Sequence, residues 1–182
     1  YSTRGSVNAV TDGFRYMPLK ERLARQFTST LSGGIGFGWT VYDAERNAVT
    51  ALGLAARAGA GSWMVVHADR TAQGPLESTL VLNYAMASSD QRLRQAAEAL
   101  SVSVTTLNRL LAVDEQVAMR PLKADEMALF LSVTTRSARR LLGLLTDNGL
   151  AEVVGEEARG KGRPSKVYRL FLDKIRTWGQ GG

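Results

Sequence analysis

Residues 124–171 carry, in chain order, two helical stretches, a helix stop and two apolar strand stretches around a basic glycine-rich loop. That succession leaves few ways to fold. The spacing of apolar residues predicts a short helix over Ala124–Leu131, a turn at Ser132-Val133-Thr134 and a second helix from Thr135 to Asp147. Asn148-Gly149 supplies the stop, since both residues tolerate the left-handed conformation that closes helices. Leu150–Val154 is apolar and partly β-branched, and Ser165–Phe171 (SKVYRLF) alternates, so the two read as a hairpin. Glu156–Pro164 (EEARGKGRP) links them. A cationic helix is thereby set beside a cationic hairpin tip, a surface suited to a polyanion.

The second helix has two different faces. Ala138, Leu141, Leu142 and Leu145 fall at i, i+3, i+4 and i+7, an apolar stripe for a core. Arg136, Arg139, Arg140 and Gly143 repeat that spacing on the other side. Gly143 costs about 1 kcal/mol against alanine in a helix interior, so either it serves a close approach or it is merely tolerated. The segment resembles the winged-helix domains of bacterial transcription regulators, and is most similar to those ending in a strand of the form present here as Gly162-Arg163-Pro164-Ser165-Lys166-Val167-Tyr168-Arg169-Leu170. The resemblance covers the last third of the chain. It implies sequence-directed binding of double-stranded DNA, usually by a dimer. The helix at 135–147 would enter the major groove, and the loop at 156–164 would lie on the backbone. Candidate DNA-contacting residues are Thr134, Thr135, Arg136, Ser137, Arg139, Arg140, Arg159, Lys161, Arg163 and Lys166.

An internal echo precedes this segment. Leu100–Leu111 aligns without gaps on Leu131–Leu142 at an offset of 31 residues. Ala97, Ser101 and Leu107 recur as Ala128, Ser132 and Ala138, the small, small and apolar positions a helix-turn-helix needs. Two such units in tandem are expected to share one core, because 31 residues leave no room for a hairpin in the first. The first unit offers Thr105, Asn108 and Arg109 on its expected exposed face where the second offers Arg136, Arg139 and Arg140. The second is therefore the expected DNA reader, and the first a bracing pair.

Charge follows the same division. Residues 120–182 hold 12 Lys+Arg against 7 Asp+Glu, a balance of 12 − 7 = +5, whereas residues 1–119 hold 11 against 10, or +1. The chain has no cysteine and one histidine, His67, which excludes disulfides and thiolate metal sites and leaves no His-based metal centre. Neither metal nor cofactor is expected. No apolar run is long enough to span a membrane and no secretory signal is recognisable, so the expected location is the cytoplasm.

The first ninety residues are less informative. Pro18–Leu31 reads as an amphipathic helix with Leu19, Leu23, Phe27 and Leu31 at steps of four, broken by Ser32–Gly36. Phe37–Tyr42 (FGWTVY) reads as a strand, Asp43 as the cap of a helix Ala44–Ala58 (a returning strand being the alternative), Ser62–Ala68 as a buried strand and Pro75–Ala87 as a helix. On that order the glycine-rich segment follows a helix and precedes a strand, the reverse of a phosphate-binding loop. His67 and Asp69 would share one strand face as an acid/base pair, although a histidine satisfied by local hydrogen bonds is the better expectation. No enzymatic nucleophile is indicated. Trp39 and Trp63 could line a pocket, but aromatic residues on apolar strands are more often core.

The expected fold is thus α+β and mainly helical. A small mixed region, 1–88, would dimerise, sense a small-molecule effector, or do both. A tandem helix-turn-helix with a C-terminal winged helix would occupy 89–178, and 179–182 would be a disordered tail. Two other readings stand beside a transcription regulator. One is a replication or partition protein with paired winged-helix domains, supported by a third echo of the small, small, apolar spacing at Ala55, Gly59 and Val65. The other is a winged-helix module that holds a protein partner.

Overall fold

The computed structural model describes residues 2–27, 29–157 and 164–177. The fold is α+β and about half helical, with seven α-helices and two small sheets among the described residues. The chain divides into two compact units, Tyr1–Tyr84 and Ala85–Gly182.

The first unit contains α1 (Arg4–Val10), α2 (Pro18–Gln26), β1 (Gly33–Gly36), α3 (Val41–Ala58), β2 (Trp63–Val66), β3 (Thr71–Gly74) and β4 (Leu82–Ala85). The strands lie in the order β1-β2-β3-β4, with β1 parallel to β2 and β2 antiparallel to β3. A parallel pair needs a crossover, and α3 supplies it. The helix lies directly on the strand backbone. A Cβ on Gly36 would stand 2.1 Å from the Ala48 amide nitrogen, and one on Gly34 would stand 2.3 Å from that of Leu52. Glycine is required here by close approach. Phe14, Met17, Phe37, Trp63, Val65 and Leu76 form the core beneath. Asn47 fastens α3 to both strand ends: its amide donates to the Phe37 carbonyl (2.7 Å) and the His67 carbonyl (3.3 Å), and its Oδ1 accepts from Arg70 (3.1 Å).

Several expectations for this unit are overturned. The helix opened by Pro18 ends at Gln26, where Phe27 turns extended, and Leu19, Phe27 and Leu31 are all exposed. Four-residue spacing marks a helix face only where something packs on it, and here only Leu23 meets the core. The glycine-rich segment is strand β1 itself, while Phe37–Thr40 is loop and Thr40, not Asp43, caps α3. Local propensity disfavours glycine in strands, but α3 cannot dock on a strand that carries side chains at Gly34 and Gly36. The order is therefore strand, loop, helix. The space above the glycines is nevertheless filled by the α3 backbone.

Pro75–Ala87 is not a helix either. It runs through turns into β4, where Leu82 and Tyr84 alternate inward with period two. Strand β2 stops at Val66, so His67 and Asp69 share no strand face. Asp69 sits in the following turn and accepts from the Thr71 amide (3.0 Å) and hydroxyl (2.7 Å). Because Trp63–Val66 is a strand, the third echo at Ala55, Gly59 and Val65 is no helix-turn-helix.

The second unit contains α4 (Gln91–Ala99), α5 (Val104–Val117), β5 (Leu122–Lys123), α6 (Ala124–Leu131), α7 (Thr135–Asp147), β6 (Ala151–Glu157), β7 (Ser165–Leu170) and a 3-10 helix, Leu172–Thr177. Its antiparallel sheet has the order β5-β7-β6, with a register shift between Val153 and Gly155. Leu107, Leu110, Leu122, Met127, Leu131, Leu142, Leu145, Leu150 and Leu170 are fully buried. The expected tail, 179–182, lies outside the described residues.

Candidate nucleic-acid interface

The two sequence echoes are structural repeats down to single hydrogen bonds. The turn residues Ser101 and Ser132 both adopt left-handed backbone, with φ of 51° and 47°. The next amide in each turn reaches back to the buried alanine of the preceding helix, Val102 to the Ala97 carbonyl (2.9 Å) and Val133 to that of Ala128 (3.0 Å). Ser103 then caps α5 by accepting from the Thr106 amide (3.0 Å), as Thr134 caps α7 by accepting from that of Ser137 (3.2 Å). Leu107 and Ala138, the apolar positions, are completely buried.

The outer faces of the repeats differ. In α5 the face expected to be exposed is turned into the protein, because its polar groups find backbone carbonyls there. Thr105 donates to the Met86 carbonyl (2.7 Å) and Asn108, only 8 % exposed, donates to that of Ala85 (2.9 Å). Arg109 donates to the Leu131 carbonyl and so satisfies the C-terminal end of α6. The equivalents in α7, Arg136, Arg139 and Arg140, are all exposed, and among the described residues none of them has an ion-pair partner. The opposite stripe, Ala138, Leu141, Leu142 and Leu145, is buried, which fixes the arginine face outward. A Cβ on Gly143 would meet nothing within 4 Å. Asn148 ends the helix, and Gly149 takes the left-handed turn with φ of 68°.

A groove of about 610 Å³ runs between the first turn of α7, the start of α6 and the hairpin, lined by Thr135, Arg139, Lys166, Lys123, Asp125 and Glu156 among others. The fold thus brings Thr135, Arg139 and Lys166 together, while Arg136 and Arg140 lie outside the groove lining. Thr134 and Ser137 are engaged with each other through the cap, their hydroxyls 3.0 Å apart. Arg159, Lys161 and Arg163 lie outside the described residues.

The hairpin carries more negative charge than its loop suggests. Glu152 pairs with Arg169 (3.3 Å), Glu157 pairs with Lys123, and Glu156 stands opposite Lys166 in the strand register. Among the described residues, Lys123, Lys166 and Arg169 thus each have a carboxylate beside them. Arg136, Arg139 and Arg140 of α7 have no ion-pair partner among the described residues. Sequence reasoning missed Lys123 in the groove, since only the pairing of β5 with β7 carries it there.

No protein-family model matches the chain, and no characterised protein matches its sequence at a significant level. Among the described residues no helix is long and apolar enough to cross a membrane, and no three metal-ligating side chains come together.

Proposed function

We propose that this chain is a sequence-specific transcription regulator of double-stranded DNA, in which α7 enters the major groove and the loop at 156–164 lies on the flanking backbone. In this reading α5, β5, α6, α7, β6 and β7 form a winged helix-turn-helix, and the α4–α5 repeat braces it. One observation carries the most weight. Of two helices built alike, α5 spends its polar face inside the protein, whereas α7 leaves three arginines exposed and, among the described residues, without carboxylate partners. Guanidinium groups at i, i+3 and i+4 on one helix face suit both phosphate contact and bidentate reading of guanine.

A homodimer would present two such helices to the two halves of a site. The N-terminal unit is the proposed place of dimerisation or of effector sensing. The experiment is selection of a preferred duplex followed by titration of single alanine variants. Arg136→Ala or Arg140→Ala is expected to weaken the selected site by about 1–3 kcal/mol where the side chain contacts a base bidentately. Unchanged affinity in both variants would sink the assignment of α7.

A further inference from the structure

We propose that the first unit binds a small aromatic acid in the cavity at the ends of β1 and β2, its ring against Phe37 and Trp39 and its carboxylate at Arg4. The cavity measures about 550 Å³, within the range of small-molecule sites. It opens where the two parallel strands give way to loops and where α3 begins, so its walls come from the loop after β1, the loop after β2 and the start of α1. Asn47 pins both loops by holding the Phe37 and His67 carbonyls, which makes this a formed cavity on a rigid base.

Three features indicate its occupant. Trp39 lines the cavity yet is 90 % exposed, the opposite of the core role that a tryptophan usually takes. Phe37 and His67, stacked on each other (5.7 Å between centroids, 10° between planes), both line the cavity and make that wall aromatic.

Charge gives the second feature. Arg4 lies 5.8 Å over the Phe37 ring and has no ion-pair partner among the described residues. Asp69, which also lines the cavity, is turned to the Thr71 amide and hydroxyl and keeps its charge, while Asp43 lies beside Thr40 and Arg46. An anionic group placed at Arg4 would supply the ion-pair partner that Arg4 lacks among the described residues, and the positive end of the α3 dipole favours it. Gly36 and Gly38 serve the packing of α3, since a Cβ on either would meet α3 backbone at 2.1 and 2.3 Å.

His67 gives the third. Its ring forms part of the cavity wall and is 8 % exposed. Its Nε2 meets Gln73 (3.2 Å), but Nδ1 is buried with no hydrogen-bond partner. A buried polar atom left unsatisfied is costly, and a hydroxyl or ring N–H on the ligand would satisfy it.

The site is independent of the DNA reading, and its test involves no DNA. His67 is the only histidine in the chain, so its imidazole resonances in a histidine-labelled sample report this cavity without ambiguity. Salicylate, an aromatic acid with an adjacent hydroxyl, is titrated into the full chain and compared with salicylamide, which keeps the ring but lacks the charge. Salicylate is expected to shift the His67 resonances saturably and to bind at least about tenfold more tightly than salicylamide, with a similar loss in Arg4→Ala. A Trp39→Phe variant should lose the accompanying change in tryptophan fluorescence. No saturable shift with about 10 mM salicylate overturns the proposal, and so does equal binding of salicylate and salicylamide by the unaltered chain.

Discussion

Ser101 and Ser132, 31 residues apart, hold the same left-handed backbone at the same point of two successive helix–turn–helix units. The positive φ lets the chain reverse in three residues and brings the following threonine or serine into place as a cap. A side chain in this conformation is strained, and a β-branched one more so.

Ser132→Gly is accordingly expected to raise stability by about 0.5–1 kcal/mol, and Ser132→Val to lower it by about 1–2 kcal/mol. Urea unfolding of both variants reads the difference. Equal stabilities would mean that the turn relaxes freely and is no fixed element of the repeat.

The polar face of α5 belongs to the fold. Asn108→Ala leaves the Ala85 carbonyl without its donor, and Arg109→Ala does the same to the Leu131 carbonyl. Each is expected to cost about 1–3 kcal/mol of stability while leaving the affinity for DNA of the folded protein unchanged. A loss of DNA affinity with stability intact would assign α5 a direct contact.

Asp114 gives the second unit a pH dependence. Burial raises its carboxyl above the ordinary value of 3.8, against the lowering effect of the hydrogen bond from the Leu172 amide (3.0 Å), and its Oδ1 is buried without a partner. The folded protein holds this proton more tightly than the unfolded chain does. Its stabilising contribution is thus complete below the unfolded value and is lost as pH rises through the folded one. Asp114→Asn keeps an oxygen acceptor for Leu172 and carries no charge. Thermal unfolding should show it at least as stable as the parent at neutral pH, with a flatter profile through the window just above 3.8. A variant less stable at neutral pH with an unchanged profile would contradict this.

Two glycines separate packing from propensity. Gly36→Ala drives a methyl into the α3 backbone, which cannot yield as a side chain can. Its expected cost is about 3 kcal/mol or more. Gly143→Ala meets open space on an exposed helix and should stabilise by about 1 kcal/mol. If it does so and also weakens DNA binding, Gly143 marks a close approach to the duplex.

The contrast between the units explains what could be read from sequence. Helices α6 and α7 begin and end where the spacing of Met127, Leu131, Ala138 and Leu142 and the signals at Thr134 and Gly149 put them, because their apolar faces pack on neighbours close in the chain. Gly34 and Gly36 of β1 answer instead to α3, and Leu82 and Tyr84 of β4 to the sheet beside them. Such constraints come from tertiary packing and leave little trace in a local window. Likewise, the repeat was legible in Ser101 and Ser132. The inward turn of Asn108 was not, since an amide and a guanidinium read as surface until a carbonyl is found for each.

The measurement closest to the central claim is fluorescence anisotropy of a labelled mixed-sequence duplex, titrated with the full chain over a range of salt concentrations. The expected result is micromolar or weaker binding that falls steeply with salt, with a log–log slope of about −0.9 for each phosphate contacted. In the proposed reading this binding is carried by the exposed face of Arg136, Arg139 and Arg140, which have no ion-pair partner among the described residues. No binding at low salt would contradict the account and favour the reading of the second unit as a module for holding a protein partner.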